Sequence, residues 1–139
     1  MFRSVLATTA LALSLPLAAP LAAQAVNPVT FEAGNYGAMV EGAVTGGDYV
    51  DYTLGAQGGQ EMFVELTVTS STGNGTVYFN VLPPDSTGEA LFVGSMDADG
   101  TSALVPLPVD GTYTIRVYQM GNDGDTGVTS DYMLDLSIQ

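Results

Sequence analysis

Two short loops concentrate the oxygen ligands of this chain. Asp97-Ala98-Asp99-Gly100 and Asn122-Asp123-Gly124-Asp125 are segments of the kind hard cations use, and calcium is the ion that Asp97, Asp99, Asp123 and Asp125 would take. Neither loop continues to the bidentate Glu of an EF-hand. Turn chemistry is the simpler account of both, because Asp, Asn and Gly satisfy local backbone groups. Paired carboxylates can also cleave glycosidic bonds. Asp48 and Asp51, however, point to opposite faces of one extended segment. Asp131 and Asp135 share a face but stand roughly 13 Å apart at the rise of a strand, too far for a retaining pair. The chain has no His, no Cys and no Lys, which removes most nucleophile–base pairs and the usual transition-metal ligands. No enzyme is expected, and no cofactor beyond calcium is implied.

Charge narrows the partners. The chain carries two basic residues, Arg3 and Arg116, against 15 acidic ones, all of which lie beyond residue 25. Without Arg3, one cation faces 15 carboxylates, a formal charge of −14. Phosphate contacts need Lys and Arg, so nucleic acid is excluded as a partner, and anionic lipid is repelled. Solubility in a salty medium is the simplest reading of such acidity, since ions screen repulsion over about 8 Å.

The elements that must position these groups begin after an N-terminal export signal. Arg3 precedes an apolar run from Val5 to Leu21, which is broken by Pro16 and Pro20 and closes on Ala23-Gln24-Ala25. That is the layout of a secretory signal peptide with an A-x-A cleavage site. Two prolines near its exit side argue against a spanning helix, and no Cys follows to carry a lipid. Residues 1–25 are therefore expected to be cleaved, leaving 26–139 as a single domain, with no membrane insertion after processing. A domain of that length buries roughly 65% of its unfolded surface, enough to fold without disulfides.

Within 26–139 helix signals are absent and period-2 alternation recurs between Gly, Asn and Asp turns. In Glu61–Thr69, Met62, Val64, Leu66 and Val68 face one way; in the last strand Tyr132, Leu134, Leu136 and Ile138 do. Strand 112–120 turns Tyr113, Ile115 and Val117 inward and Thr114, Arg116 and Tyr118 outward. Further strands are expected over 29–33, 38–44, 49–55, 76–82, 90–95 and 102–107. Eight or nine strands with one wet face each predict an all-β, antiparallel sandwich. Gly58-Gly59 has the chemistry of a tight hairpin between 49–55 and 61–69, Pro83-Pro84-Asp85 ends a strand, and Asp110-Gly111 opens one. Arg116 would pair across strands with Asp131 or Asp135, an interaction worth under about 1 kcal/mol. Tyr49, Tyr78, Tyr118 and Phe63 fall on wet faces, Tyr36 lies in a loop, and exposed aromatics mark protein or sugar contacts. Asn74-Gly75-Thr76 reads as a turn.

These residues carry a resemblance. Gly42 to Val44, Asp48-Tyr49-Val50-Asp51-Tyr52-Thr53-Leu54 and Gly59-Gln60 lead into strand 61–68. Gly111-Thr112-Tyr113-Thr114-Ile115-Arg116-Val117 and the closing Tyr132 to Ile138 complete the set. The chain resembles the bacterial pre-peptidase C-terminal domain, a small jelly-roll β-sandwich. More narrowly it is similar to the periplasmic inhibitors of g-type (goose-type) lysozyme, through Arg116-Val117 with Gln119, then Asn122-Asp123 and a closing strand that begins with Tyr132. The resemblance implies a jelly-roll sandwich in the periplasm or outside the cell. It implies a protein that binds g-type lysozyme or another exported protein through loops at one end, 121–129 above all. Arg116, Tyr118, Gln119, Asn122, Asp123 and Tyr49 are then the expected contact residues. Where the family loop is basic, this chain has Gly121 and Asp125. A different class of function fits the same residues: an accessory module that binds calcium or polysaccharide, or supports an exported enzyme.

Overall fold

The alternation resolves into nine strands among the residues that the structure, a computed structural model, describes: 25–86 and 89–139. The expected signal peptide lies outside them, Ala25 excepted. The strands are β1 Val26–Pro28, β2 Gly37–Thr45, β3 Tyr49–Ala56, β4 Glu61–Ser71, β5 Val77–Leu82, β6 Phe92–Val93, β7 Ser102–Pro106, β8 Gly111–Gln119 and β9 Thr129–Ile138. They form two sheets, with spatial orders β1-β3-β8-β5-β6 and β2-β9-β4-β7. Every connection except β5–β6 passes from one sheet to the other, which gives the jelly-roll-like sandwich.

The core lies where the two inner faces meet. Met62, Val64 and Leu66 of β4 and Tyr132, Leu134 and Leu136 of β9 pack against Phe79 and Val81 of β5 and Tyr113, Ile115 and Val117 of β8. Removing each such side chain from water contributes roughly 1.5–3 kcal/mol. Three buried tyrosines keep their hydroxyls paired. Tyr113 donates to the Val109 carbonyl at 2.5 Å, and the Tyr52 and Tyr132 hydroxyls bond each other at 2.7 Å across the sheets. Gly42 makes that second pair possible. A Cβ there would stand 2.6 Å from the Tyr132 hydroxyl and clash with that of Tyr52, so any larger residue forces the two apart. Burial pushes both phenols above their ordinary value.

Four expectations change. No strand forms over 29–33: the N-terminal strand is Val26–Pro28, which runs parallel to β3, so pairing is not uniformly antiparallel. The 90–95 segment contracts to Phe92–Val93 followed by a 3-10 turn at Gly94–Met96. The Gly58-Gly59 turn exists, but β3 and β4 belong to different sheets, so it carries the chain across the sandwich and closes no hairpin. One helical turn, α1 (Gly121–Asp125), occupies the segment read from sequence as a pure loop.

Candidate functional site

Register across the first sheet assembles the site. Tyr49 of β3 stands opposite Tyr118 of β8, and Tyr118 stands opposite Tyr78 of β5. Their direct opposition places all three rings on the outer face, each half-buried. One step along, Asp51, Arg116 and Asn80 form a second row in the same order. The rows interlock. Arg116 donates from Nε to Asp51 Oδ1 at 2.8 Å and from Nη2 to Asp51 Oδ2 at 2.9 Å, a two-pronged pair. The guanidinium carbon lies 4.0 Å from the centroid of the Tyr49 ring. Tyr118 donates to Asn80 Oδ1 at 2.8 Å, and its ring centroid is 6.4 Å from that of Tyr78. The hydrogen bond from Arg116 to Asp51 raises the guanidinium above its ordinary range, so its charge is permanent.

The partner of Arg116 is therefore Asp51, and neither Asp131 nor Asp135. Strand β8 is flanked by β3 and β5, while β9 runs in the other sheet. Asp51 and Asn80 share alternation parity with Tyr49 and Tyr78, which was the available signal. What the sequence lacks is the jelly-roll order that sets β3 and β5 on either side of β8.

The six expected contact residues divide into two groups. Tyr49, Arg116 and Tyr118 share the outer face, and Asn122 is exposed on α1. Gln119 and Asp123 are buried. Gln119 points between the sheets: its Nε2 donates to the Val128 carbonyl at 2.9 Å and to the Gly46 carbonyl at 3.4 Å, and its Oε1 accepts from Ser130 at 2.7 Å. Asp123 has no accessible surface, and its two oxygens accept the backbone N–H groups of Asn74 at 3.0 Å and Thr76 at 2.8 Å. Those backbone hydrogen bonds hold its carboxyl below the usual carboxylate range. The family resemblance gave both residues to a partner; in the structure each satisfies backbone groups that loops leave orphaned.

The loops named for calcium show the same chemistry. Asp97 Oδ1 accepts the Asp99 N–H at 2.9 Å, a local turn, with both side chains exposed. Asp125 is exposed, whereas Asp123 has both oxygens committed. Among the described residues no group of three or more acidic side chains is gathered closely enough to hold a metal ion. The tyrosine rows hold neither a nucleophile–base pair nor an acid–base carboxylate pair. An amphipathic, hydrogen-bonding surface of this kind is suited to contact with a protein or a sugar.

The chain is 32% identical over 111 residues to the inhibitor of g-type lysozyme from Escherichia coli strain K12, a match spanning 80% of this chain and 79% of that protein. It belongs to the g-type lysozyme inhibitor family. Solved structures of the inhibitor family agree. The periplasmic inhibitor of g-type lysozyme from Aeromonas hydrophila superimposes with a TM-score of 0.72 and 35% identity, over 83% of this chain and 96% of that one. A mutant of the Escherichia coli inhibitor gives a TM-score of 0.66 at 26% identity, over 84% and 100% of the two chains. The Salmonella Typhimurium inhibitor, at 21% identity and a TM-score of 0.66, shares the fold. No family model matches the chain. Its own α1 segment, from Gly121 to Asp125, carries no basic side chain.

Proposed function

We propose that this protein inhibits g-type lysozyme in the bacterial periplasm by non-catalytic binding. The observation that carries the reading is family membership: a relative with that inhibitory activity in its name matches four-fifths of the chain. Residues 1–25 act as the cleaved export signal and 26–139 as the working domain. Binding uses the outer face of the first sheet, where Tyr49, Tyr78 and Tyr118 supply rigid aromatic area at low entropic cost, with Asn122 at the margin. Arg116, neutralised by Asp51, orients Tyr49 and supplies a fixed donor surface. The chain has no His, Cys or Lys, and the tyrosine face holds no acid–base carboxylate pair, which supports a protein that blocks its partner and transforms nothing. Titrating the purified mature protein into a g-type lysozyme tests this: lysis of peptidoglycan falls stoichiometrically, and undiminished lysis at saturating protein removes the proposal.

A further inference from the structure

Three connections converge at the end of the sandwich that carries the tyrosine row: the turn 46–48 between β2 and β3, the loop 72–76 between β4 and β5, and residues 120–128 between β8 and β9. Tyr49, Tyr78 and Tyr118 each stand within two residues of one of them. These connections have little to hold them from within. The segment Thr72-Gly73-Asn74-Gly75-Thr76 holds two glycines, and no sheet ladder covers it. Backbone bonds join them at two points, from the Met120 N–H to the Thr76 carbonyl at 3.1 Å and from the Gly46 N–H to the Val128 carbonyl at 2.8 Å, and two buried polar side chains add ties of their own. Asp123, on α1, takes the N–H groups of Asn74 and Thr76 and so fastens the 72–76 loop to the 120–128 connection. Gln119 takes Gly46 and Val128 through Nε2, which fastens the 46–48 turn to the far end of the same connection. Gly73 leaves room for the first tie, since a Cβ there would stand 2.5 Å from Asp123 Oδ1.

We infer, resting on the inhibitor reading, that Gln119 and Asp123 are positioning residues: they meet no partner, and they fix the three loops so that the tyrosine row and Asn122 are presented in one arrangement before binding. Association then has no loop-ordering entropy left to spend on these segments, and that is where affinity is gained. A carboxylate suits the role at 123 because it has only acceptors to offer two converging N–H groups. An amide of the same size must aim an NH2 at one of them.

Asp123→Asn in the mature protein, with Ile138→Val at the opposite end of the sandwich as a variant of reduced stability, separates positioning from general weakening. All three proteins are assayed where thermal denaturation shows them fully folded. Asp123→Asn raises the concentration needed to inhibit g-type lysozyme by about tenfold, while Ile138→Val leaves it unchanged. Amide exchange at Asn74 and Thr76 accelerates in Asp123→Asn, while that at Leu134 in the core does not. Unchanged inhibition by Asp123→Asn, or an equal loss in Ile138→Val, overturns the inference. If the parent protein does not inhibit, the inhibitor reading falls first and amide exchange decides the rest: unchanged rates at Asn74 and Thr76 overturn the ties themselves.

Discussion

The two outer faces of the sandwich belong to different sets of alternating strands and carry opposite chemistries. On the first sheet, the single arginine among the described residues is paired to Asp51, flanked by Tyr49 and bordered by Tyr118 and Asn80, so charge is cancelled inside an aromatic frame. On the second sheet, Met39, Asp135 and Glu65 lie in one row across β2, β9 and β4, and Glu41, Met133 and Thr67 in the next. Glu65 and Asp135 are directly opposed like charges, an arrangement that costs stability. No Arg or Lys stands on that face. The contrast teaches that net charge is a poor guide to the site. Acidity is spread over the surface at large, and the face proposed for binding is where it is locally cancelled.

Breaking the Arg116–Asp51 pair has the largest expected effect. Arg116→Ala strands a carboxylate that is only 7% exposed, and it removes the cation resting on Tyr49. Unfolding free energy falls by about 2–4 kcal/mol in urea titrations, and the melting midpoint falls by roughly 10 °C or more. Tyr118→Ala comes next and acts on binding. Loss of a central aromatic weakens lysozyme inhibition by about thirtyfold, whereas Leu104→Ala on the other sheet, though 62% exposed, leaves inhibition within about twofold.

Alkali probes the seam between the two faces. Burial raises the Tyr52 and Tyr132 phenols above the value near 10 that they hold in the unfolded chain. The folded state therefore retains protons that the unfolded chain gives up, so stability is fully present below about pH 10 and falls as pH rises beyond it. Tyr132→Phe, which leaves nothing to ionise at that position, flattens this alkaline slope in a melting series. Glu65→Gln has the smallest effect and the opposite sign: relief of the like-charge pair with Asp135 raises stability by about 0.2–0.5 kcal/mol, and the gain shrinks when salt is added.

Sheets and faces were legible in the sequence because alternation is a local signal. Met62-Val64-Leu66, Tyr113-Ile115-Val117 and Tyr132-Leu134-Leu136-Ile138 each declare their buried side without knowledge of the partner strand. Pairing was not legible, since nothing in Gly58-Gly59 tells a hairpin from a passage between sheets. The misassigned partner of Arg116 followed from that alone. The fate of Gln119 and Asp123 depends on backbone groups far away in sequence, at Gly46, Asn74 and Thr76, and no motif announces such a debt. Tyr49, Arg116 and Tyr118 were found together because parity and type coincide on strands that the fold brings side by side.

The weave of strands between sheets has a consequence for biogenesis. In the second sheet β9 lies between β2 and β4, so nothing joins β2 to β4 and β7 until the final ten-residue strand arrives. A polypeptide emerging amino end first thus cannot complete that layer midway, and the loop-closure entropy of its distant pairings is met only near the end of synthesis. A nonsense mutation before Thr129 would leave β2 and β4 with bare edges prone to self-association.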